Sequence, residues 1–210
     1  MGRKLGVTPA ETRAKLLAAA AQVFAEHGYD GARVGEIARR AGLTTGAIYA
    51  HYGTKAELLA EAVRTHSPDE LAGLYESGAI DLLSALRLAG RRLTETDDTE
   101  QSLVLEALAG GRRDAEVARL LCHGIAQRER LFALALRRAR AAGQVDATVS
   151  PEAVARLCTM LAIGGLAVGS LALDDIDPGE WEAVVDRLVD AVRTPGPPTD
   201  RTTEITRETP

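Results

Sequence analysis

Apolar positions recur every three or four residues over most of the chain, and no stretch alternates as a strand would, so the pattern predicts an all-α protein. Leu16, Leu17, Ala20, Val23 and Phe24 form one stripe of a helix from Pro9 to about His27, opened by the capping box Thr8-Pro9-Ala10-Glu11 and stopped by Gly28. A shorter period follows. Ile37, Ala38 and Ala41 share a face of a helix over Val34–Ala41, and Gly42 ends it in a left-handed conformation that costs glycine little. Leu43 seats the turn, and Thr44 caps a second short helix, Thr45–Tyr52, which Gly53 breaks. Thr54-Lys55-Ala56-Glu57 is a further capping box that starts the next helix. Helices this short need their neighbours to hold them. Two of them across a glycine turn form the helix-turn-helix layout, whose second helix is shaped for a DNA major groove.

The rest of the chain carries unusually clear helix starts. Ser67-Pro68-Asp69-Glu70, Ser150-Pro151-Glu152 and Asp177-Pro178-Gly179-Glu180 each set a cap before a proline at the first helical position. Helices are predicted near Pro68–Glu76, Ile80–Leu93, Thr99–Leu108, Arg113–Ala142, Pro151–Leu173 and Pro178–Arg193, with breaks at Gly110-Gly111 and Ala142-Gly143. From Thr194 onward, prolines and threonines replace the apolar period, and a disordered tail is expected. The domain reading is a helix-turn-helix domain over 1–55, a larger helical domain over 56–194 and a tail over 195–210.

Charge is divided along the same line. Up to Lys55 there are 8 Lys and Arg against 4 Asp and Glu; beyond it there are 17 against 26, for a net charge of −5. All three lysines (Lys4, Lys15, Lys55) lie in the first part. A basic head on an acidic body points to one localised DNA-binding end and away from a nonspecific nucleic-acid binder. Cys122 and Cys158 both fall inside helices and give no disulfide framework, which fits a reducing cytoplasm. The opening residues show no signal-peptide pattern.

From Thr12 to Leu59, about a quarter of the chain, the order and spacing of residues resemble the TetR-type (tetracycline-repressor-like) bacterial transcriptional regulators. The matching positions are Phe24, His27-Gly28-Tyr29, Val34, Ile37-Ala38, Ala41-Gly42-Leu43, Thr44, Gly46, Ile48-Tyr49, His51-Tyr52, Lys55 and Glu57-Leu58-Leu59. The resemblance implies that Thr45, Ala47 and His51 lie near base edges or neighbouring phosphates. It further implies that the Thr44 and Tyr49 hydroxyls donate to phosphates, that Lys55 contacts a phosphate, and that Gly46 lets the backbone approach the DNA. The chain departs from the pattern at Ala32 and Arg33, where similar proteins carry a Ser or Thr cap. Arg33 is either a phosphate contact or a solvated side chain. The recognition helix has no Arg, Asn or Gln, the side chains that read guanine and adenine bidentately, so specificity falls to few direct contacts, to Arg33, Arg39 or Arg40, or to DNA shape.

Leu157 to Leu173 is uncharged over seventeen residues, near the lower length for a bilayer span, and Gly165 and Gly169 make a GxxxG spacing. With a DNA-binding head and charged flanks, burial against a second copy is the preferred reading. Leu161, Gly165, Val168 and Gly169, with Trp181, Val185, Leu188 and Val192 of the last helix, are expected at a homodimer interface, as a four-helix bundle like that of similar proteins. Such a dimer would present two recognition helices to half-sites about 34–36 Å apart, or a multiple of one turn. The resemblance also implies a small-molecule effector, for which Tyr75, Leu86, Leu105, Leu108, Cys122, His123 and Ile125 are candidate pocket residues beside the alternative of ordinary core packing. Arguing against an enzyme, no Glu-x-x-His pair, HExxH, phosphate-cradling glycine loop or GxSxG occurs, and neither cofactor nor metal is expected.

Overall fold

The computed structural model describes residues 8–66, 81–94, 98–171, 173–174 and 176–194. Those residues are all-helical apart from one isolated antiparallel bridge, with an N-terminal helix-turn-helix head and a C-terminal helical body. The helices are α1 (Pro9–Gly31), α2 (Val34–Ala41), α3 (Thr45–His51), α4 (Lys55–His66), α5 (Leu82–Arg91), α6 (Asp98–Gly111), α7 (Ala115–Ala141), α8 (Pro151–Gly169) and α9 (Pro178–Asp190), with a 3-10 turn at Arg92–Thr94. The helix expected near Pro68–Glu76 and the tail lie outside the described residues.

The caps act where the sequence places them. Thr8 and Glu11 form the reciprocal capping box of α1, and the side chains of Ser150 and Asp177 accept the N–H groups of Ala153 and Glu180. Gly28 (φ 69°) does not end α1 outright. It kinks the helix, and a last turn carries on to Gly31. Gly42 (φ 68°) ends α2 in the left-handed conformation, with Leu43 N donating to Ala38 O at 2.8 Å. At α4 the box is shifted by one residue: Thr54 Oγ1 accepts from Glu57 N, but Glu57 reaches back to the N–H of Gly53.

Two apolar clusters organise the packing. The first joins Leu16, Leu17, Val23 and Phe24 of α1 to Ile37 of α2, Ile48 of α3 and Leu58 and Leu59 of α4, and it also takes in Leu103 and Ala107 of α6 and Val117 of α7. Head and body therefore share buried surface, with α1 lying along α6 and α4 along α7. The second cluster joins Leu82 and Leu83 of α5, Leu136 of α7, Val154 of α8 and Val185 and Val189 of α9. Gly90 lets α5 and α9 meet closely, since a Cβ there would stand 2.6 Å from a Val185 methyl. Arg87 pairs with Asp186 (3.1 Å) and Asp190 (2.6 Å) across the same contact.

Some boundaries differ from the sequence reading for local reasons. Asp81 accepts from Leu83 N and Ser84 N and starts α5 at Leu82; Ile80, the expected start, lies outside the described residues. Asp114 caps α7 at Ala115 in the same manner. The glycine pair 110–111 does not break α6 early; the helix runs through to Gly111, and Gly110 is small because a Cβ would lie 3.2 Å from Tyr29 Cβ. The helix expected to reach Leu173 ends at Gly169. The chain after α9 folds back on the α7–α8 loop, where Val145 and Arg193 bridge and Asp146 N donates to Val192 O.

Candidate nucleic-acid interface

Helix α3, the second of the helix-turn-helix pair, spans seven residues and buries one large side chain, Ile48. Burying an isoleucine contributes about 1.5–3 kcal/mol, and the Thr44 hydroxyl adds a cap by accepting from Ala47 N at 3.2 Å. What remains faces outward. Thr44, Thr45, Gly46, Ala50 and His51 are exposed, Ala47 is half-buried, and Tyr49 is 51% exposed. Among the described residues nothing requires a glycine at 46, for a Cβ would meet only Thr44 Oγ1 at 3.9 Å. The glycine leaves bare backbone on the free face of the helix. Beneath the helix lies a cavity of about 190 Å³ lined by Thr12, Arg13, Leu16, Leu43, Ala47, His51 and Tyr52.

The arginines of α2 divide into available and engaged. Arg33 is exposed at the N-cap and makes no cap bond through its side chain. Arg39 is 75% exposed at its side chain, 3.9 Å from Glu36. Arg40, one of the candidates for base reading, is instead held by Glu26 of α1 (2.6 and 2.8 Å) and Glu36 (2.6 Å). These bonds favour the ionised form and hold both carboxyls below the ordinary carboxylate range, the guanidinium being the first cause in each. His27 lies 3.4 Å from Glu36, so Glu26, His27 and Glu36 stand within metal-ligating distance of one another, and Arg40 already pairs with both carboxylates.

Lys55 stands differently from its expected place at a phosphate. Its side chain turns inward, where Nζ donates to the carbonyls of Tyr29 (2.7 Å) and Ala32 (3.3 Å) and lies 4.4 Å from the centre of the Tyr29 ring. Carbonyls left open at the end of α1 are satisfied by a cation from α4. Sequence spacing gives no sign of this contact, since 26 residues separate its partners.

In the body, Tyr75 lies outside the described residues. Cys122 and His123, expected as polar pocket contacts, are exposed on α7. Leu86, Leu105, Leu108 and Ile125 are half-buried, Leu86 against the second cluster.

Of the expected interface residues, Leu161, Val168 and Leu188 are exposed, as are Gly169 and the neighbouring Leu157, Met160 and Val184. The other four are engaged within the protomer. Val185 is buried against Gly90, Gly165 lies against the Leu93 carbonyl, Trp181 Nε1 donates to Gly90 O at 2.9 Å, and Val192 packs on the second cluster. The small residue at 165 thus fits the 3-10 turn of its own chain. Among the described residues, one helix, α8, is long and apolar enough to cross a membrane.

Residues 16–62 match the family described as bacterial regulatory proteins, tetR family. The chain is 31% identical over 81 residues to the HTH-type transcriptional repressor AcnR of Corynebacterium efficiens, a match covering 39% of this chain and 43% of AcnR. The chain thus spans less than half the length of that relative. It is 26% identical to the HTH-type transcriptional regulator UidR of Escherichia coli K12 over 74% of this chain and 80% of UidR. The solved structure of Salmonella enterica GusR superposes with a TM-score of 0.71 over 90% of this chain and 98% of that one, at 23% identity, and shows the same fold. Over residues 16–62, which build the helix-turn-helix head, the chain is similar to the tetR family of bacterial regulatory proteins.

Proposed function

We propose that the protein is a homodimeric transcriptional repressor that binds a pseudo-palindromic operator and is released from it by a small molecule. The observation that carries the DNA-binding part is the free face of α3, with Thr44, Thr45, Gly46, Tyr49 and His51 outward on a helix fixed from behind by Ile48. Arg33, exposed beside it, is proposed as a phosphate contact. The name of AcnR as a repressor favours that sign of regulation. The exposed apolar face of α8 and α9 supports a second copy as its cover, since large contiguous apolar patches are rarely left to water. A membrane is the poorer cover. Arg156 pairs with Glu129 and Arg137 with Glu152 along the same α7–α8 contact, which keeps α8 fastened to a charged helix. Division of the chain at about residue 55, a body pocket for the effector and a cytoplasmic location belong to the same reading.

The test is fluorescence anisotropy of the purified protein on duplexes from its own promoter and on scrambled duplexes, near about 150 mM salt, where nonspecific binding is weak. Sequence-dependent binding that falls at least about tenfold in Tyr49→Ala combined with Thr45→Ala is expected. Equal weak binding to every duplex would favour a constitutive architectural protein and overturn the operator reading.

A further inference from the structure

The end of α1 meets the corner between α6 and α7 through a small set of directed contacts. Past the kink at Gly28, Tyr29 is 6% exposed, and its hydroxyl donates to Asp114 Oδ2 at 2.9 Å. The other oxygen of Asp114 accepts from Glu116 N (2.8 Å) and Val117 N (3.3 Å), so a single carboxylate both starts α7 and holds the tyrosine. Asp30 pairs with Arg113 at 2.8 Å, and Gly110 leaves room for the Tyr29 side chain. The opposite end of Tyr29 belongs to the head: its carbonyl accepts from Lys55, and its ring lies under that ammonium.

Lys55 has a particular place in this set. It opens α4, just after α3, and its Nζ also holds Ala32, which leads into α2. The approach to α2 and the exit from α3 are therefore fastened at one point, and that point is Tyr29. A tyrosine ring is rigid, and a hydrogen bond to a carboxylate is among the stronger kinds. A shift of Asp114 would carry the hydroxyl, the ring and the bound ammonium with it.

We propose that the Tyr29–Asp114 hydrogen bond is the joint through which the α6–α7 corner of the body sets the position of the recognition helix, with Tyr29 and Lys55 as positioning residues rather than DNA contacts. This rests on the DNA-binding reading above. Coupling between two sites is reciprocal, so DNA held by the head must alter the stability of the corner.

The experiment is amide hydrogen exchange on the full chain, free and saturated with a duplex selected from a random-sequence library. In the wild type the duplex is expected to slow exchange over 44–52 and also over 110–118, each by about fivefold or more. Tyr29→Phe removes the hydroxyl alone. Asp114→Ser keeps a capping hydroxyl too short to reach the tyrosine and guards against a folding defect peculiar to the first variant. In both, slowing over 44–52 is expected to persist while that over 110–118 disappears. Protection confined to 44–52 in the wild type, or retained over 110–118 in both variants, overturns the joint. Absence of protection over 44–52 with every duplex overturns the DNA-binding reading, and the joint with it.

Discussion

At the scale of single residues, Tyr29 shows how burial and one partner decide a property that its sequence neighbours do not. Burial first, and then the hydrogen bond to Asp114, push its ionisation well above the ordinary value of 10.0. A raised value in the folded state means that the stabilisation is complete below about pH 10 and is lost as the pH rises through the folded value. Of the four tyrosines, Tyr29 is expected to ionise only as the protein unfolds in alkali. An absorbance titration of the phenolates checks this: Tyr29→Phe is expected to remove the part of the signal that rises together with unfolding. Cys158 is governed by the same physics, with burial alone pushing its thiol up to about 11. Arg40 and Lys55 carry the complementary lesson. Both looked available to DNA in the sequence, and both are occupied by groups 14 to 26 residues away.

At the scale of elements, the short helices of the head are secured by pairs that cross between them. Arg40 of α2 holds Glu26 of α1 as well as its own-helix neighbour Glu36. Both carboxyls are lowered below their ordinary 4.5 by that guanidinium. Their contribution is therefore present above about pH 4.5 and lost as the pH falls through the lowered values. Thermal melts between about pH 6 and pH 3 are expected to show the midpoint dropping in acid, with a shallower drop in Arg40→Met. An identical slope in both proteins would mean that the network adds nothing. The caps at Thr8, Thr44, Ser150 and Asp177 were the most legible features, because each needs only local chemistry: all four accept the N–H groups that their spacing assigns. The N-terminal ends of α5 and α7 were less legible, since Asp81 and Asp114 cap without a proline or an apolar signal to mark them.

At the scale of the whole molecule, the exposed apolar face of α8 and α9 is the feature that a lone protomer does not explain. Leu188 is 57% exposed while Val185, one turn away on α9, is 5% exposed. The two positions therefore predict different outcomes. Leu161→Glu with Leu188→Glu is expected to leave a folded monomer in sedimentation and to weaken operator binding about tenfold or more, because two half-sites are no longer held by one particle. Val185→Ala, by contrast, is expected to lower protomer stability by about 0.5–3 kcal/mol without dissociating a dimer. A dimer that survives the paired glutamates would place the interface elsewhere.

The sequence by itself determined the helical class, the helix-turn-helix order, the position of Gly42 and most of the caps. Each follows from interactions within a few residues, and a period or a cap can be counted along the chain. Only the tertiary structure decided which cations remain free, that Tyr29 faces Asp114 85 residues away, and that Gly165 and Val185 serve the protomer's own packing. Those outcomes depend on which helices lie side by side. A glycine or valine on an apolar stripe reads the same whether its neighbour is the same chain or another, and the close approach of α5 to α9 and of the 3-10 turn to α8 is what distinguishes the two.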